Sequence, residues 1–275
     1  MKTATIQDLA EQCHKIVKSD RYILTVISGD TGEGKSCIAA QIAKAISACN
    51  QLPFRYQDNM TYLRSELMEW VDGKGEKKEG QKPEGTVIIA DELISMFFKR
   101  NFYDEGQIQG IELLNKCRDR HLVIIGNVPS FWDLDSAMYG HITFWIHVET
   151  RGLCHVFMKD RNPFETDKWH RKENLKLWAK YKSPWKCRGY LFSMKFKDWS
   201  PQDKQAYYDV RNKKRVGTEG QGKEKYRKIK DQRDRLIRYC YEKRTGNKKE
   251  IAIVAGVDPT HVVRVTADLE LKDEK

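Results

Sequence analysis

Short apolar runs alternate along the chain with longer stretches whose apolar residues recur every third or fourth position. The runs at 22–28 (YILTVIS), 86–92 (TVIIADE) and 121–127 (HLVIIGN) are rich in β-branched residues and bounded by turn formers. That pattern predicts strands buried on both faces. Between them, Ile38, Ile42 and Ile46 mark a helix over 36–48, and Leu63, Leu67, Trp70 and Val71 share one face of a second from about Met60 to Val71. Ile108, Ile111 and Leu114 mark a third from about Asp104 to Arg118, while the polar, glycine-dotted stretch 72–85 reads as a loop. ITFWIHVE (142–149) and LCHVFMKD (153–160) predict a hairpin turning at Arg151-Gly152. Strands alternating with helices predict a largely parallel sheet covered on both faces.

Beyond residue 160 the pattern changes. A helix over about 166–181, a strand over 189–196 and a helix after Pro201 are expected in a segment dense in tryptophan and basic residues. GTEGQGK (217–223) reads as a linker, and a small helical domain follows it. The expected organisation is an α/β domain over 1–160, a basic aromatic extension over 161–216, the linker, and an all-α domain over 224–275. No internal repeat is visible.

Charge sharpens this division. The net charge of +11 is confined to the later part of the chain: residues 1–160 sum to −3, 161–215 to +10 and 216–275 to +4. Such an excess is the footprint expected for a polyanion, most often nucleic acid, although a solvated basic face has the same composition. Seven scattered cysteines never form a Cys-x-x-Cys, and seven histidines form no ligand-spaced cluster. This argues against a disulfide framework and a transition-metal site. No run approaches the roughly 20 apolar residues that span a bilayer, and the N-terminal stretch lacks a signal-peptide core. An intracellular, cytoplasmic protein with no membrane partner is therefore expected, in the host cytoplasm if it is viral.

Candidate chemistry is concentrated at SGDTGEGKS. Gly29-Asp30-Thr31-Gly32-Glu33-Gly34-Lys35-Ser36 fits G-x-x-x-x-G-K-[ST] completely, and it lies between an apolar strand and a helix, as a phosphate loop requires. Glycines let backbone amides, through Cys37 in the helix's first turn, converge on an anion. Lys35 would reach the β- and γ-phosphates of ATP, and the Ser36 hydroxyl would bind Mg²⁺. VIIADE then carries Asp91 to the carboxyl edge of the sheet as the second Mg²⁺ residue. Glu92 beside it suits a general base for the attacking water, or is an acid at a strand end. Asn127, closing the next strand, either senses the γ-phosphate or caps the turn before Pro129. The fold expected is thus a P-loop NTPase with a mostly parallel central sheet, plus the small all-α domain.

This set of motifs resembles the additional-strand catalytic-glutamate branch of P-loop ATPases. The run IIADELISMFFKR…LLNKCRDRHLVIIGNVPSFWDLD is most similar to the FtsK/HerA-like group, which includes viral packaging ATPases and zonula-occludens-toxin-like ATPase domains. The resemblance covers about residues 20–150 and is carried mainly by 29–36 and 86–92. Two features depart from it: Asn127 stands where the group usually has Gln, and the membrane segment of the toxin-like proteins is missing, which argues against an envelope-anchored export role. The resemblance implies a homo-oligomeric ring in which one subunit's arginine reaches its neighbour's γ-phosphate. Arg118 and Arg120 are the candidates, with Arg100 behind them; ordinary ion pairing is the alternative for each.

The segment 248–269, KKEIAIVAGVDPTHVVRVTADL, fits a helix-turn-helix pattern. Ile251 and Ala252 would pack inside, Gly256 would take the left-handed turn, Val257 would plug the corner, and Val262 and Val265 would anchor the second helix. Asp258 and Pro259 suit its cap and first position. Thr260, His261 and Arg264 would then face the major groove, with Lys248 and Lys249 on phosphates. A three-helix protein-interaction module would pack identically. The combined expectation is an Mg²⁺-dependent ATP hydrolase acting on double-stranded DNA. The preferred role is a translocating or genome-packaging motor of a virus or mobile element, working with a portal or similar protein. The alternatives are an AAA+-type DNA-binding regulator, for transposition target selection or helicase loading, and an ATP-responsive transcription regulator. No acidic nuclease cluster follows residue 160, which disfavours a terminase with its own nuclease.

Overall fold

The computed structural model describes residues 2–73, 78–91, 93, 116–243 and 246–273, without the side chains of 64, 215–231 and 267–273. The chain divides into two compact units, Met1–Lys214 and Arg215–Lys275.

In the first unit, seven strands build one sheet: β1 (Ile23–Ser28), β2 (Met60–Thr61), β3 (Val87–Ala90), β4 (Val123–Asn127), β5 (Phe144–Thr150), β6 (Leu153–Met158) and β7 (Tyr190–Lys195). Their spatial order is β2-β3-β4-β1-β5-β6-β7. The five strands from β2 to β5 run parallel, and β6 and β7 add antiparallel to that edge. Every residue of β1, β3 and β4 is buried, as their unbroken apolar runs require. β5 instead alternates buried and half-buried residues up to Val148.

Successive strand residues feed two cores. Ile23, Ile27, Ile89 and Ile125 pack with α1 (Ile6–Lys18) and α2 (Lys35–Cys49) on one face. Leu24, Val26, Ile88 and Ile124 pack with α3 (Arg64–Asp72), Phe131 and Trp169 on the other. Within α2, Ile38, Ile42 and Ile46 are almost fully buried, each contributing roughly 1.5–3 kcal/mol of transfer free energy.

Several elements differ from the expected map. α1 was not anticipated, although Thr5 and Asp8 form a capping box and Leu9, Ala10 and Cys13 form a buried stripe. Met60 and Thr61 are not helical: they pair in parallel with Ile89 and Ala90, and the Thr61 hydroxyl accepts from the Leu63 amide at 3.0 Å, so α3 begins only at Arg64. Most of the helix expected over 104–118 lies outside the described residues, which show helix from Lys116 to Asp119. α4 spans Arg171–Tyr181, not 166–181, because His170 takes a left-handed conformation just before it. The tryptophans divide: Trp169 is buried, whereas Trp178 and Trp185 are exposed.

The expected linker 217–223 is helical, part of the 42-residue α5 (Pro201–Glu242). Its glycines each cost helix about 1 kcal/mol relative to alanine. The surrounding Lys, Arg, Glu and Gln are good helix formers and continue the helix through them.

In the second unit, Ile237 packs with Ile251 and Ala252 of α6 (Lys248–Ala255) and with Val262 and Val265 of α7 (Pro259–Asp273). Gly256 closes α6 in the left-handed conformation, and Asn247 opens it with a capping box to Glu250.

Candidate functional site

The parallel register brings the ends of β1, β3 and β4 to one edge: Ile27 pairs with Asn127, and Ala90, just before Asp91, pairs with Gly126. From Ser28 the chain turns through Gly29 (φ +145°), Gly32 (φ +93°) and Gly34 (φ +95°). Gly29 is pressed against β5, where a Cβ would lie 2.6 Å from the Val148 carbonyl oxygen. Gly29→Ala should therefore destabilise the unit by about 1–3 kcal/mol through overpacking, measurable by urea denaturation.

Gly34 opens α2 in a left-handed conformation, without a side-chain cap and with no acid in the first turn. The first-turn amides and the positive helix end therefore remain for an anion. The Lys35 ammonium folds back onto the loop, donating to the carbonyl oxygens of Gly29 (2.6 Å) and Asp30 (2.8 Å). Burial lowers its pKa, against the opposing pull of Asp30, Asp91 and Glu33. Asp30, Thr31 and Gly32 are exposed and Glu33 is half-buried. Cys37 is buried, its thiol directed to the Lys197 carbonyl at 3.4 Å.

Asp91 is the centre of the polar cluster. It is buried, and its Oδ1 accepts from the Ser36 hydroxyl at 3.0 Å and from Asn127 Nδ2. Its Oδ2 accepts from the Tyr62 hydroxyl at 2.7 Å and from the Tyr207 hydroxyl. Burial first, and the Asp91 charge second, push both phenols above the ordinary tyrosine range, so they remain protonated donors. Asn127 Oδ1 is buried and has no hydrogen-bond partner among the described residues, which leaves an acceptor open beside the carboxylate.

Ser36 and Asp91 supply two hard oxygen ligands side by side. This fits Mg²⁺, which takes one or two protein oxygens and completes its shell with phosphate and water. Among the described residues no group of three or more His, Cys, Asp or Glu forms a metal cage.

The structure thus unites Gly29–Ser36, Asp91 and Asn127. Glu92 and Arg100 lie outside the described residues. Arg118 and Arg120 precede β4 and so occupy the opposite edge of the sheet from the loop. Arg118 is exposed, whereas Arg120 donates to the Lys82 carbonyl at 2.5 Å. Tyr62 and Tyr207 were missed: they lie 29 and 116 residues from Asp91 in sequence, and no local pattern marks them.

In the second unit Lys249, Thr260 and Arg264 are exposed, and Lys248 is half-buried with its ammonium 5.7 Å from the Tyr241 ring centroid. His261 departs from its expected outward position. It is half-buried, with Nε2 hydrogen-bonded to Asp234 at 2.9 Å and Nδ1 to Arg264 at 2.6 Å. The carboxylate on α5 draws the imidazole inward.

No protein-family model matches the chain, and no curated protein matches it significantly. Solved structures with similar features include a chain of the E. coli MS115-1 HORMA:CdnC:Trip13 complex, at 14% identity and a TM-score of 0.36 over 52% of this chain. The FIGL-1 AAA domain in complex with ADP is similar at 17% identity and a TM-score of 0.33 over 51% of this chain. The N-terminal domain of zonular occludens toxin from Neisseria meningitidis is similar at 13% identity and a TM-score of 0.38, over 68% of this chain and 97% of that domain. The chain spans 61% and 52% of the first two.

Proposed function

We propose that the chain is an Mg²⁺-dependent ATP hydrolase whose nucleotide cycle is coupled to DNA, as an oligomeric translocating or packaging motor of a virus or mobile element. The observation that carries the hydrolase reading is the meeting of the phosphate loop with a strand-end acid, Ser36 Oγ to Asp91 Oδ1 at 3.0 Å. In this reading the loop amides and Lys35 hold the phosphates, while Ser36 and Asp91 hold the ion. Bound Mg²⁺ would neutralise phosphate charge and fix the geometry of the transferring group. Phosphate binding would turn the Lys35 ammonium from the Gly29 and Asp30 carbonyls toward the β- and γ-oxygens. Glu92, next in sequence after Asp91, would take a proton from the attacking water, and Asn127 Oδ1 would accept a hydrogen bond that orients it.

The nucleic-acid part of the reading is supported by the basic excess after residue 160 and by exposed Lys249, Thr260 and Arg264 on a three-helix unit. A trans arginine is better supplied by exposed Arg118 than by Arg120, whose guanidinium is engaged with Lys82.

Glu92→Gln should lower turnover about a hundredfold while leaving ATP affinity within a factor of about 2, measured by phosphate release and by calorimetry. The motor reading is tested with long linear duplex DNA carrying a protein roadblock. ATP-dependent displacement supports a motor, whereas ATP-dependent assembly on DNA without displacement supports a regulator.

A further inference from the structure

α4 buries none of its residues. Its Leu175, Trp178 and Tyr181 are 64%, 41% and 45% exposed, and Trp185 in the following turn is 48% exposed. Uncovered aromatic surface of this kind is unusual unless something binds it. Arg171, Asn174, Leu175 and Trp178, spaced to share one helix face, form a wall of a cavity of about 320 Å³. Trp132 and Trp145 line it as well, and the Arg171 guanidinium lies 4.9 Å from the Trp132 ring centroid. His147 supplies a polar group to the same cavity. Its Nδ1 is 3.3 Å from the Ser28 hydroxyl, and among the described residues its Nε2 has no hydrogen-bond partner.

Ser28, Gly29 and the acids Asp30 and Glu149 close the cavity on the phosphate-loop side, whereas the charge along α4 and the turn after it is one-sided. Residues 171–188 contain seven Lys and Arg, all exposed, and one acid, Glu173, which pairs with Arg188 at 3.0 Å. The Lys180 and Lys186 ammonium groups lie 5.0 and 5.9 Å from the Tyr181 ring centroid.

We infer that this face of the first unit binds single-stranded nucleic acid, with a base entering the cavity beside α4 and the phosphates running along its cations. The inference rests on the nucleic-acid coupling proposed above, but assigns a contact to the phosphate-loop unit itself and to an unpaired strand. Three features favour this occupant. Exposed aromatics among cations supply stacking and charge together, the combination by which single strands are held. A duplex keeps its bases stacked on one another and offers none to such rings. A lipid surface needs only a flat apolar face with cations, whereas this site is a walled cavity with a hydrogen-bonding imidazole, suited to a base edge.

The test measures binding of the full chain to a labelled oligothymidylate, to duplex DNA, to ATP and to phosphatidylserine vesicles. Trp178→Ala/Trp185→Ala should weaken oligothymidylate binding roughly tenfold or more, leave ATP and duplex affinities unchanged, and be rescued by Trp178→Phe/Trp185→Phe. Lys180→Glu/Lys186→Glu, both on exposed side chains, should weaken the same binding and flatten its salt dependence. Lys35→Ala should leave it intact, so failure of the hydrolase reading and failure of this surface are read separately. Unchanged oligothymidylate affinity in both double variants would overturn the assignment. So would a loss of ATP affinity alone, which would mean that the cavity takes the nucleotide's own base. Tryptophan-dependent binding to vesicles but not to oligothymidylate would make the face a membrane contact.

Discussion

Asp91→Ala should lower the stability of the first unit by about 3–5 kcal/mol and abolish Mg²⁺-dependent turnover. The magnitude follows from the four donors that the carboxylate satisfies: Ser36, Asn127, Tyr62 and Tyr207. A buried donor left without an acceptor costs about 1–3 kcal/mol. Ser36 is half-buried and can turn to water, but the Tyr62 and Tyr207 side chains are buried and both donate to Asp91. Removing an acid from a functional site often stabilises a protein, because such acids commonly repel like neighbours. Here the carboxylate's hydrogen-bond partners among the described residues are all donors, and Lys35 adds attraction, so the sign reverses. Urea denaturation reads the loss directly. A thermal midpoint should fall by roughly 10 °C, whereas a midpoint unchanged within about 1 °C would remove Asp91 from the structural centre of the site.

How much of this was legible in the sequence depends on distance along the chain. The phosphate loop is contiguous, and its glycines, lysine and serine each answer a local requirement, such as the positive φ at Gly29 and Gly34. Asp91 was legible because an apolar strand ends beside it. Tyr62 and Tyr207 were not, since only the folded sheet brings the segment after β2 and the helix α5 to one carboxylate. The two-residue strand Met60–Thr61 is too short for any periodicity to reveal. α1 did carry readable signals, a capping box and an amphipathic stripe. The glycines of 217–223 were weighed above their helix-forming neighbours, and the structure gives the opposite balance. At His261 a helical spacing set the expected direction, but Asp234 on another helix set the actual one.

Lys35→Ala should reduce ATP affinity at least about a hundredfold and turnover about a thousandfold or more, judged from the cost of deleting one preorganised electrostatic contact to a reacting group. The side chain is only partly buried, and its two hydrogen bonds go to loop carbonyls that water can reach once it is gone. Alanine is also the best helix former for the first position of α2. The variant should therefore stay folded, with stability within about 1 kcal/mol of the parent, in contrast to Asp91→Ala. Lys35→Arg keeps the charge but changes the donor geometry, and should recover part of the affinity with little turnover.

The most direct test of the central claim is nucleotide binding and phosphate release by folded Lys35→Ala protein beside the parent chain, with Mg²⁺ present. Parent protein that binds and hydrolyses ATP, and a variant that does neither, is the predicted result. A variant with the parent's affinity and turnover would contradict the assignment of the loop.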